Sequence, residues 1–187
     1  MHLMLDLETL GVGPNAAIIE VGAVLFEAKP NGKILNGKPF QMFVEPNKEA
    51  RIDMSTVFWW FKQNPAARER FSKAYPAEFV SEVYVAKAFE TWEAVQDLGG
   101  WSQIEGVWSH GAVFDQPLLE SLFYRNGKRF PWHYAVSRDT RTLFSIIGGY
   151  PSIDNQGFVQ HSAVDDCIMQ AMMVQKAYAI LRGVGHV

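Results

Sequence analysis

The sequence has little cysteine and no excess of positive charge. Its 187 residues include one cysteine, Cys167, so no disulfide can form within the chain and a reducing compartment is the expected setting. The formal net charge is −3, which excludes a strong overall positive field that would attract polyanions. Any contact with a polyanion would therefore depend on a local basic patch or on bound metal ions.

Long hydrophobic runs are also absent, and we expect no signal peptide. The most apolar stretches, AAIIEVGAVLF and AMMVQKAYAIL, are interrupted by Glu20 and Lys176 and are too short to span a bilayer. The chain enters its first predicted strand directly, without the basic segment and small-residue cleavage site of a signal peptide. We therefore expect a cytoplasmic protein that makes no contact with membranes.

The apolar content that is present is sufficient for one core. Hydrophobic residues make up 48% of the chain and aromatic residues 13%, a composition typical of globular rather than disordered proteins. No repeat, low-complexity tract or interdomain linker interrupts the sequence. The sequence predicts one domain over residues 1–187.

The beginning of the chain predicts an antiparallel meander of three strands. In HLMLDLE the leucines share one face, and Met4, Asp6 and Glu8 share the other. The segments AAIIEVGAVLFEA and KPFQMFVEP give the second and third strands, and Asn31-Gly32 gives a hairpin-type turn between them. Tight connections of this kind favour antiparallel pairing.

Helical and strand patterns alternate in the remainder of the chain. Helices are predicted in STVFWWFKQN with Ser55 as N-cap, from Pro65, in SEVYVAKAFETWEAVQDLGG, in DQPLLESLFYRNG, in TRTLFSII and from about Ser162 to Leu181. IEGVWSHG predicts a buried strand parallel to the first, and YAVSRD a further short strand. These patterns predict an α/β fold with a mixed five-stranded sheet, an antiparallel meander followed by parallel strands, flanked by helices.

The first chemically unusual feature is the pair of carboxylates in the first strand. Asp6 and Glu8 are two residues apart, so their side chains leave the same face side by side and repel each other unless a cation lies between them. One interpretation is that both simply face solvent. The other is a ligand site, because the strand is apolar and a glycine-rich turn follows it directly.

The second feature is Asp115, in GAVFDQPLL, where a predicted buried strand leads into a helix. Asp is a favoured N-cap residue, so Asp115 has a purely structural interpretation beside the chemical one.

The third feature is HSAVDDC, at the start of the last predicted helix. Ser162 and Asp165 fit a capping box, which leaves Asp166 on the adjacent face and His161 just outside the helix. A histidine and a carboxylate at a helix end also occur as an ordinary polar surface pair. The ordinary pKa range of histidine nevertheless suits a general base.

Taken together, these residues fit a two-metal phosphodiesterase. Carboxylates are hard oxygen ligands suited to Mg²⁺ or Mn²⁺. Two such ions stabilise the attacking and the leaving oxygen of an in-line displacement at phosphorus. The predicted ligands are Asp6, Glu8, Asp115 and Asp166, with His161 as the base.

The ordered motifs LDLETLG, GAVFDQPLL and HSAVDDC resemble those of DEDDh-type 3′→5′ exonucleases, in the DnaQ-like, ribonuclease H-fold superfamily. The resemblance runs from residue 3 to about residue 180. STVFWWFKQNP and SRDTRTL resemble the small phage and bacterial branch that includes exodeoxyribonuclease VIII-like proteins and a mycobacterial 3′ exoribonuclease.

The resemblance implies a role for each residue of the set. Asp6 would bridge two divalent ions, Glu8 and Asp166 would complete the site of the ion that activates water, and Asp115 would support the second ion through water. Glu8 would also hold the terminal 3′-hydroxyl, and His161 would take the proton from the attacking water. The product would be a nucleoside 5′-monophosphate released from the 3′ end of RNA or DNA.

Two positions depart from the pattern of this branch. His110 stands where an asparagine is expected before the glycine of the second motif, which could alter a contact behind the site or to the substrate. Cys167 stands where alanine is usual, which a helix interior tolerates.

Substrate contacts are predicted from residues that follow or flank the motifs. Thr9 and Leu10 are predicted to line the terminal nucleotide pocket, as the resemblance suggests. The adjacent tryptophans Trp59 and Trp60 are both predicted as candidates for stacking on a base, because they cannot both face the core. The alternative is one core residue and one at the interface of a homodimer.

The segment SRDTRTL adds two predicted phosphate contacts, Arg138 and Arg141. Asp139, between them, is predicted to orient an arginine or to cap a helix rather than to bind metal.

Two alternatives to this function stay open. RNA and DNA are equally plausible substrates, because the discriminating contact to the 2′-hydroxyl is not visible in the sequence. An inactive nuclease fold that only binds nucleic acid or another protein is the alternative of a different class. It is disfavoured because all four carboxylates and the histidine are present.

Overall fold

The computed structural model describes residues 1–183 and contains one mixed sheet. Its strands are β1 (His2–Thr9), β2 (Ile18–Phe26), β3 (Ile34–Glu45), β4 (Phe79–Ser81), β5 (Gly106–Ser109) and β6 (Ser137–Asp139). They lie in the order β4-β3-β2-β1-β5-β6. β1, β2 and β3 form an antiparallel meander, and β5 and β6 extend the sheet parallel to β1, which confirms the predicted α/β class and strand arrangement.

The predicted number of strands is wrong, because the sheet has six strands rather than five. The additional strand, β4, lies at one edge and pairs with β3 in parallel, with Phe79 opposite Phe43. Three residues are too few to show an alternating pattern, so only the pairing partner reveals this strand.

Seven helices surround the sheet in the described residues: α1 (Met54–Phe61), α2 (Pro65–Ala74), α3 (Glu82–Glu90), α4 (Glu93–Gln96), α5 (Asp115–Arg125), α6 (Thr140–Ile146) and α7 (Ala163–Leu181). The N-cap of α1 is Asp53, not the predicted Ser55. The single helix predicted after Ser81 is two helices, α3 and α4, with Thr91 and Trp92 between them. None of the helices within residues 1–183 combines the length and apolar character needed to cross a bilayer.

The two faces of the sheet are covered by different helices. α3 and α5 pack on the face that carries the β1 leucines, around the fully buried Phe89 and Phe123. α6 and α7 pack on the opposite face, against Met4. Successive side chains of β1 therefore enter different cores, as the sequence predicts. Asp6 and Glu8 lie on the same face as Met4, which is the face covered by α7.

A close approach of β2 and α7 fixes where the last helix begins. A Cβ atom placed on Gly22 would lie 2.4 Å from the backbone carbon of Ala163, the first residue of α7. Gly22 is the β2 partner of Asp6, so the absence of a side chain there lets the start of α7 lie beside Asp6. This contact brings the third sequence motif to the first.

Candidate active site

Two parallel strands bring the first two motifs together. β1 carries Asp6 and Glu8 in its carboxyl-terminal half, and the neighbouring strand β5 ends just before the turn that leads to Asp115. Asp6 is half-buried and Glu8 is 7% exposed, so this pair does not simply face solvent, and Asp115 is also buried. Phe114 rather than Asp115 occupies the N-cap position of α5. The site therefore lies at the carboxyl ends of adjacent strands, the usual location of ligand sites in α/β sheets.

Helix α7 and the residue before its N-cap complete the group. Ligand atoms of Glu8, His161 and Asp166 all lie within 4.8 Å of one another. Gln170, one turn after Asp166, donates from Nε2 to Oδ1 of Asp6 at 3.1 Å. The structure thus brings together the predicted carboxylates and histidine from three separate parts of the chain.

His161 has a backbone conformation that few side chains adopt. Its φ angle is 64°, in the left-handed region, and its amide donates to Oδ2 of Asp166 at 3.1 Å. The predicted capping box does not form. Ser162 is the N-cap but makes no side-chain cap hydrogen bond, and Asp165 accepts from the Val159 amide at 2.9 Å. The turn at His161 is the physical reason, because it directs amides that precede the helix toward both aspartates.

The electrostatics of the cluster are unfavourable for the protein alone. Burial raises the pKa of Asp6 and of Glu8 well above their ordinary values, and the neighbouring carboxylates raise both further. Burial also raises the pKa of Asp115 and of Asp166 to about 7. Four carboxylates in this arrangement resist full ionisation, and a divalent cation between them would remove that resistance. Their oxygen atoms fit the preference of Mg²⁺ and Mn²⁺.

The histidine of the group is suited to accept a proton. Burial lowers the pKa of His161 below its ordinary value, so its imidazole is neutral near pH 7. Its ring packs edge-on against Trp59, with 4.8 Å between ring centroids.

A cleft of about 360 Å³ opens beside the carboxylates. It is lined by Glu8, Thr9, Gly11, Val12, Ser55, Thr56, Trp59, Trp60 and Phe114. Trp59 is 42% exposed, whereas Trp60 is buried and donates from Nε1 to the Thr9 carbonyl at 2.9 Å. The two adjacent tryptophans therefore differ: Trp60 is a core residue that supports the end of β1, and Trp59 is open to a ligand.

The remaining predicted substrate contacts lie in different environments. Leu10 packs with the buried cluster of Ile19 and Trp60 behind the cleft. Arg141 lies over the Gly111 turn and lowers the pKa of Asp115 against the larger effect of burial. Arg141 is therefore near the carboxylates.

Arg138 is not brought to the carboxylates. Its guanidinium donates to the carbonyls of Ala135 and Ser137, both at 2.9 Å. It also contributes to lowering the pKa of His2, after burial and the terminal amine, and His2 is at the opposite end of β1 from Glu8. Alternate residues of β6 point in opposite directions, which separates Arg138 from Asp139. The contact of Arg138 with a substrate phosphate stays a prediction.

Two positions near the site have structural roles. Asp139 caps α6, where it accepts from the Thr142 amide at 2.9 Å, as the sequence predicts. His110, the residue in place of an asparagine, lies 2.8 Å from the Thr140 hydroxyl through Nδ1.

Several residues at this site were not predicted from the sequence. Phe114 lines the cleft, Gln170 contacts Asp6, and Glu20 and Arg70 lie behind the His161 loop. The position of Gln170, four residues after Asp166, is the only local signal, since that spacing places both on one helix face.

The family model described as the 3′-5′ exoribonuclease Rv2179c-like domain matches residues 1–178. The chain belongs to this family. An exodeoxyribonuclease of Enterobacteria phage T4 is 25% identical over 208 residues, which covers 96% of this chain and 90% of the relative.

Solved structures agree on the fold of this Rv2179c-like protein. Exonuclease I has a TM-score of 0.60 and 17% identity, over 93% of this chain and 40% of its own, so the present chain spans less than half of that enzyme. The nuclease domain of 3′hExo, a DEDDh family member, has a TM-score of 0.55 and 15% identity, over 97% of this chain and 92% of its own. The ribonuclease H-like fold and the resemblance to DEDDh 3′-5′ exonucleases are confirmed.

Proposed function

We propose that this 3′-5′ exonuclease removes nucleoside 5′-monophosphates from the 3′ ends of single-stranded RNA or DNA, or of 3′ overhangs, with two divalent metal ions. The observation that carries the proposal is the convergence of Glu8, His161 and Asp166 within 4.8 Å, beside Asp6 and Asp115, at one end of the sheet. Clusters of carboxylates with raised pKa values are typical of functional sites, which supports the proposal.

The four carboxylates would hold the metal ions, with Asp6 central and Glu8, Asp115 and Asp166 around it. When bound, Mg²⁺ or Mn²⁺ ions supply Lewis-acid activation of a water molecule and stabilise negative charge at the scissile phosphate. Gln170 keeps the Asp6 carboxylate in one orientation through its hydrogen bond at Oδ1.

His161 would act as the general base. Its neutral imidazole accepts the proton of the attacking water, because burial keeps its pKa below the ordinary value. The ring lies between the carboxylates and Trp59, so a proton taken up there is close to the bond that is broken.

The cleft lined by Thr9, Trp59 and Phe114 would hold the terminal nucleoside. Aromatic side chains stack on any base, which permits degradation without reading the sequence. Glu8 lines the same cleft, which supports a contact to the terminal 3′-hydroxyl.

The relatives support both RNA and DNA as substrates. The family model is described as an exoribonuclease domain, whereas the phage T4 relative is an exodeoxyribonuclease. The nuclease domain of 3′hExo was solved with bound rAMP. A cytoplasmic location, and pairing of two copies through the exposed aromatic residues of α1, remain predictions.

The test uses single-stranded RNA and DNA labelled at the 5′ end, incubated with Mg²⁺, Mn²⁺ or EDTA. We expect metal-dependent shortening from the 3′ end, with mononucleotides as products. Asp6→Ala should abolish it, whereas Asp97→Ala, which removes an exposed carboxylate, should not.

Two results would contradict the proposal. Cleavage that persists in EDTA or in Asp6→Ala would exclude the carboxylate cluster as the active site. No cleavage of either polymer, together with retained oligonucleotide binding, would favour the inactive binding module instead.

A further inference from the structure

A further buried carboxylate lies directly beside the cluster. Glu20 is the β2 partner of Glu8 and is fully buried. It accepts hydrogen bonds from Nε2 of Gln41 at 2.7 Å, from the Ala163 amide at 3.3 Å and from the guanidinium of Arg70. A carboxylate at this depth is tolerated only when it is paired and hydrogen-bonded, and Arg70 supplies the counter-charge.

Arg70 links this carboxylate to the histidine loop. Its Nη2 group pairs with Glu20, and its Nη1 group donates to the backbone carbonyl of His161 at 2.9 Å. The guanidinium carbon also lies 5.5 Å from the ring centroid of Phe43 and 5.3 Å from that of Phe71. These aromatic contacts keep the side chain in one place.

The two bonds hold the backbone on both sides of Ser162. Arg70 binds the carbonyl of His161, and Glu20 binds the amide of Ala163. The left-handed conformation of His161 comes immediately before the first of these bonds; it is unfavourable for a side chain with a Cβ atom and persists only when its surroundings impose it.

We propose that Glu20 and Arg70 are positioning residues that hold the His161 loop so that the imidazole faces Glu8 and Asp166. The proposal rests on the proposed role of His161 as general base. Arginine suits this task because its planar guanidinium binds a carboxylate and a carbonyl at once, whereas lysine offers a single ammonium group.

The kinetic test compares Arg70→Ala, Arg70→Lys and Glu20→Gln with the matched control Arg68→Ala, an exposed arginine on the same helix. We expect Arg70→Ala to lower kcat on the order of 10- to 100-fold with little change in KM, as for residues that orient a catalytic group. Arg70→Lys and Glu20→Gln should lose less, and Arg68→Ala should match the wild type.

A double mutant separates positioning from general weakening of the fold. If Arg70 acts through His161, Arg70→Ala should have little further effect on the residual kcat of His161→Ala. An equal fold-loss in both backgrounds would overturn the proposal. A wild-type kcat for Arg70→Ala, alongside a slow His161→Ala, would overturn the positioning role alone. A wild-type kcat for His161→Ala would instead overturn the proposed function of His161.

An NMR measurement reports the position of the His161 ring independently of nuclease activity. The His161 ring lies against Trp59, so its ring-proton shifts carry a tryptophan ring-current contribution, and His161→Ala identifies the signals among the five histidines. We expect Arg70→Ala to move these signals while thermal unfolding shows a folded protein. Unchanged His161 signals in a folded Arg70→Ala variant would overturn the proposal.

Discussion

Buried and half-buried carboxylates in two regions of this protein differ in whether a cation is paired with them. Glu82, at the start of α3, is 4% exposed and is fully paired. It accepts from Arg125 through Nε at 2.7 Å and Nη2 at 2.6 Å, and from Asn47 at 2.9 Å. The cluster formed by Asp6, Glu8, Asp115 and Asp166 has no comparable ion pair among residues 1–183.

The pKa values follow this difference. Burial alone would raise the pKa of Glu82, but Arg125 and the asparagine bonds hold it below its ordinary value. In the cluster, burial raises the pKa of Asp115 and Asp166 to about 7. This chain therefore neutralises the buried Glu82 carboxylate, whose role is structural. The uncompensated charges are concentrated where a metal-binding function is proposed.

The largest effect is expected from Asp6→Asn. Loss of the central ligand should lower the nuclease rate by more than about 100-fold, the upper range seen for residues that only support a metal ligand. In EDTA at pH 8 the same variant should melt at a higher temperature than the wild type, because one repulsive carboxylate is removed. Nuclease assays and thermal melts measure the two effects, and a lower melting temperature would contradict the account of the cluster.

The second prediction concerns stability against pH in the metal-free protein. Asp115 and Asp166 have folded pKa values of about 7 and an ordinary value of 3.8, so the folded state binds protons more strongly than the unfolded state. Their contribution to stability is complete below pH 3.8 and is lost as the pH rises through about 7. Urea unfolding in EDTA should therefore show the free energy of unfolding falling over this range.

Two controls sharpen this pH prediction. Asp115→Asn should flatten the decrease, and added Mg²⁺ should reverse it at pH 8. Glu82 has the opposite sign: its lowered pKa contributes stability above its ordinary value of 4.5 that is lost as the pH falls through the folded pKa. A free energy of unfolding that rises steadily from pH 4 to 8 in EDTA would contradict the prediction.

A smaller effect is expected from Arg125→Met. It leaves the buried Glu82 carboxylate without its counter-charge and should lower the free energy of unfolding by about 2 kcal/mol, less than for a fully buried pair because Arg125 is 22% exposed. The matched control is Lys38→Met, which breaks exposed pairs with Glu93 and Asp97 and should cost under about 1 kcal/mol. Equal losses of unfolding free energy in the two variants would show that the burial of Glu82 does not determine the cost of removing its partner.

The convergence of the four carboxylates and His161 was more predictable from the sequence than the contacts around them. Asp6 and Glu8 are charged residues in an otherwise apolar strand, and this departure from the strand pattern can be seen in the sequence alone. The contrast between Trp59 and Trp60 was not predictable, because which one is buried depends on where α1 meets β1. The position of Arg138, away from the carboxylates, was not predictable for the same reason, since a charged residue in a short strand gives no sign of which end of the sheet it faces. Its contact with a substrate phosphate stays a prediction.

The sequence by itself determined the α/β class, the two faces of β1 and the residues from which the carboxylate cluster is built, because periodicity and side-chain chemistry are local properties. Only the tertiary structure decided the sixth strand, the left-handed turn at His161 and the link from Glu20 through Arg70 to that turn. These features depend on contacts between residues far apart in the chain. The positions of Glu20, Arg70 and His161 in the sequence carry no pattern that joins them, and the packing of α2 and α7 against β2 creates the connection.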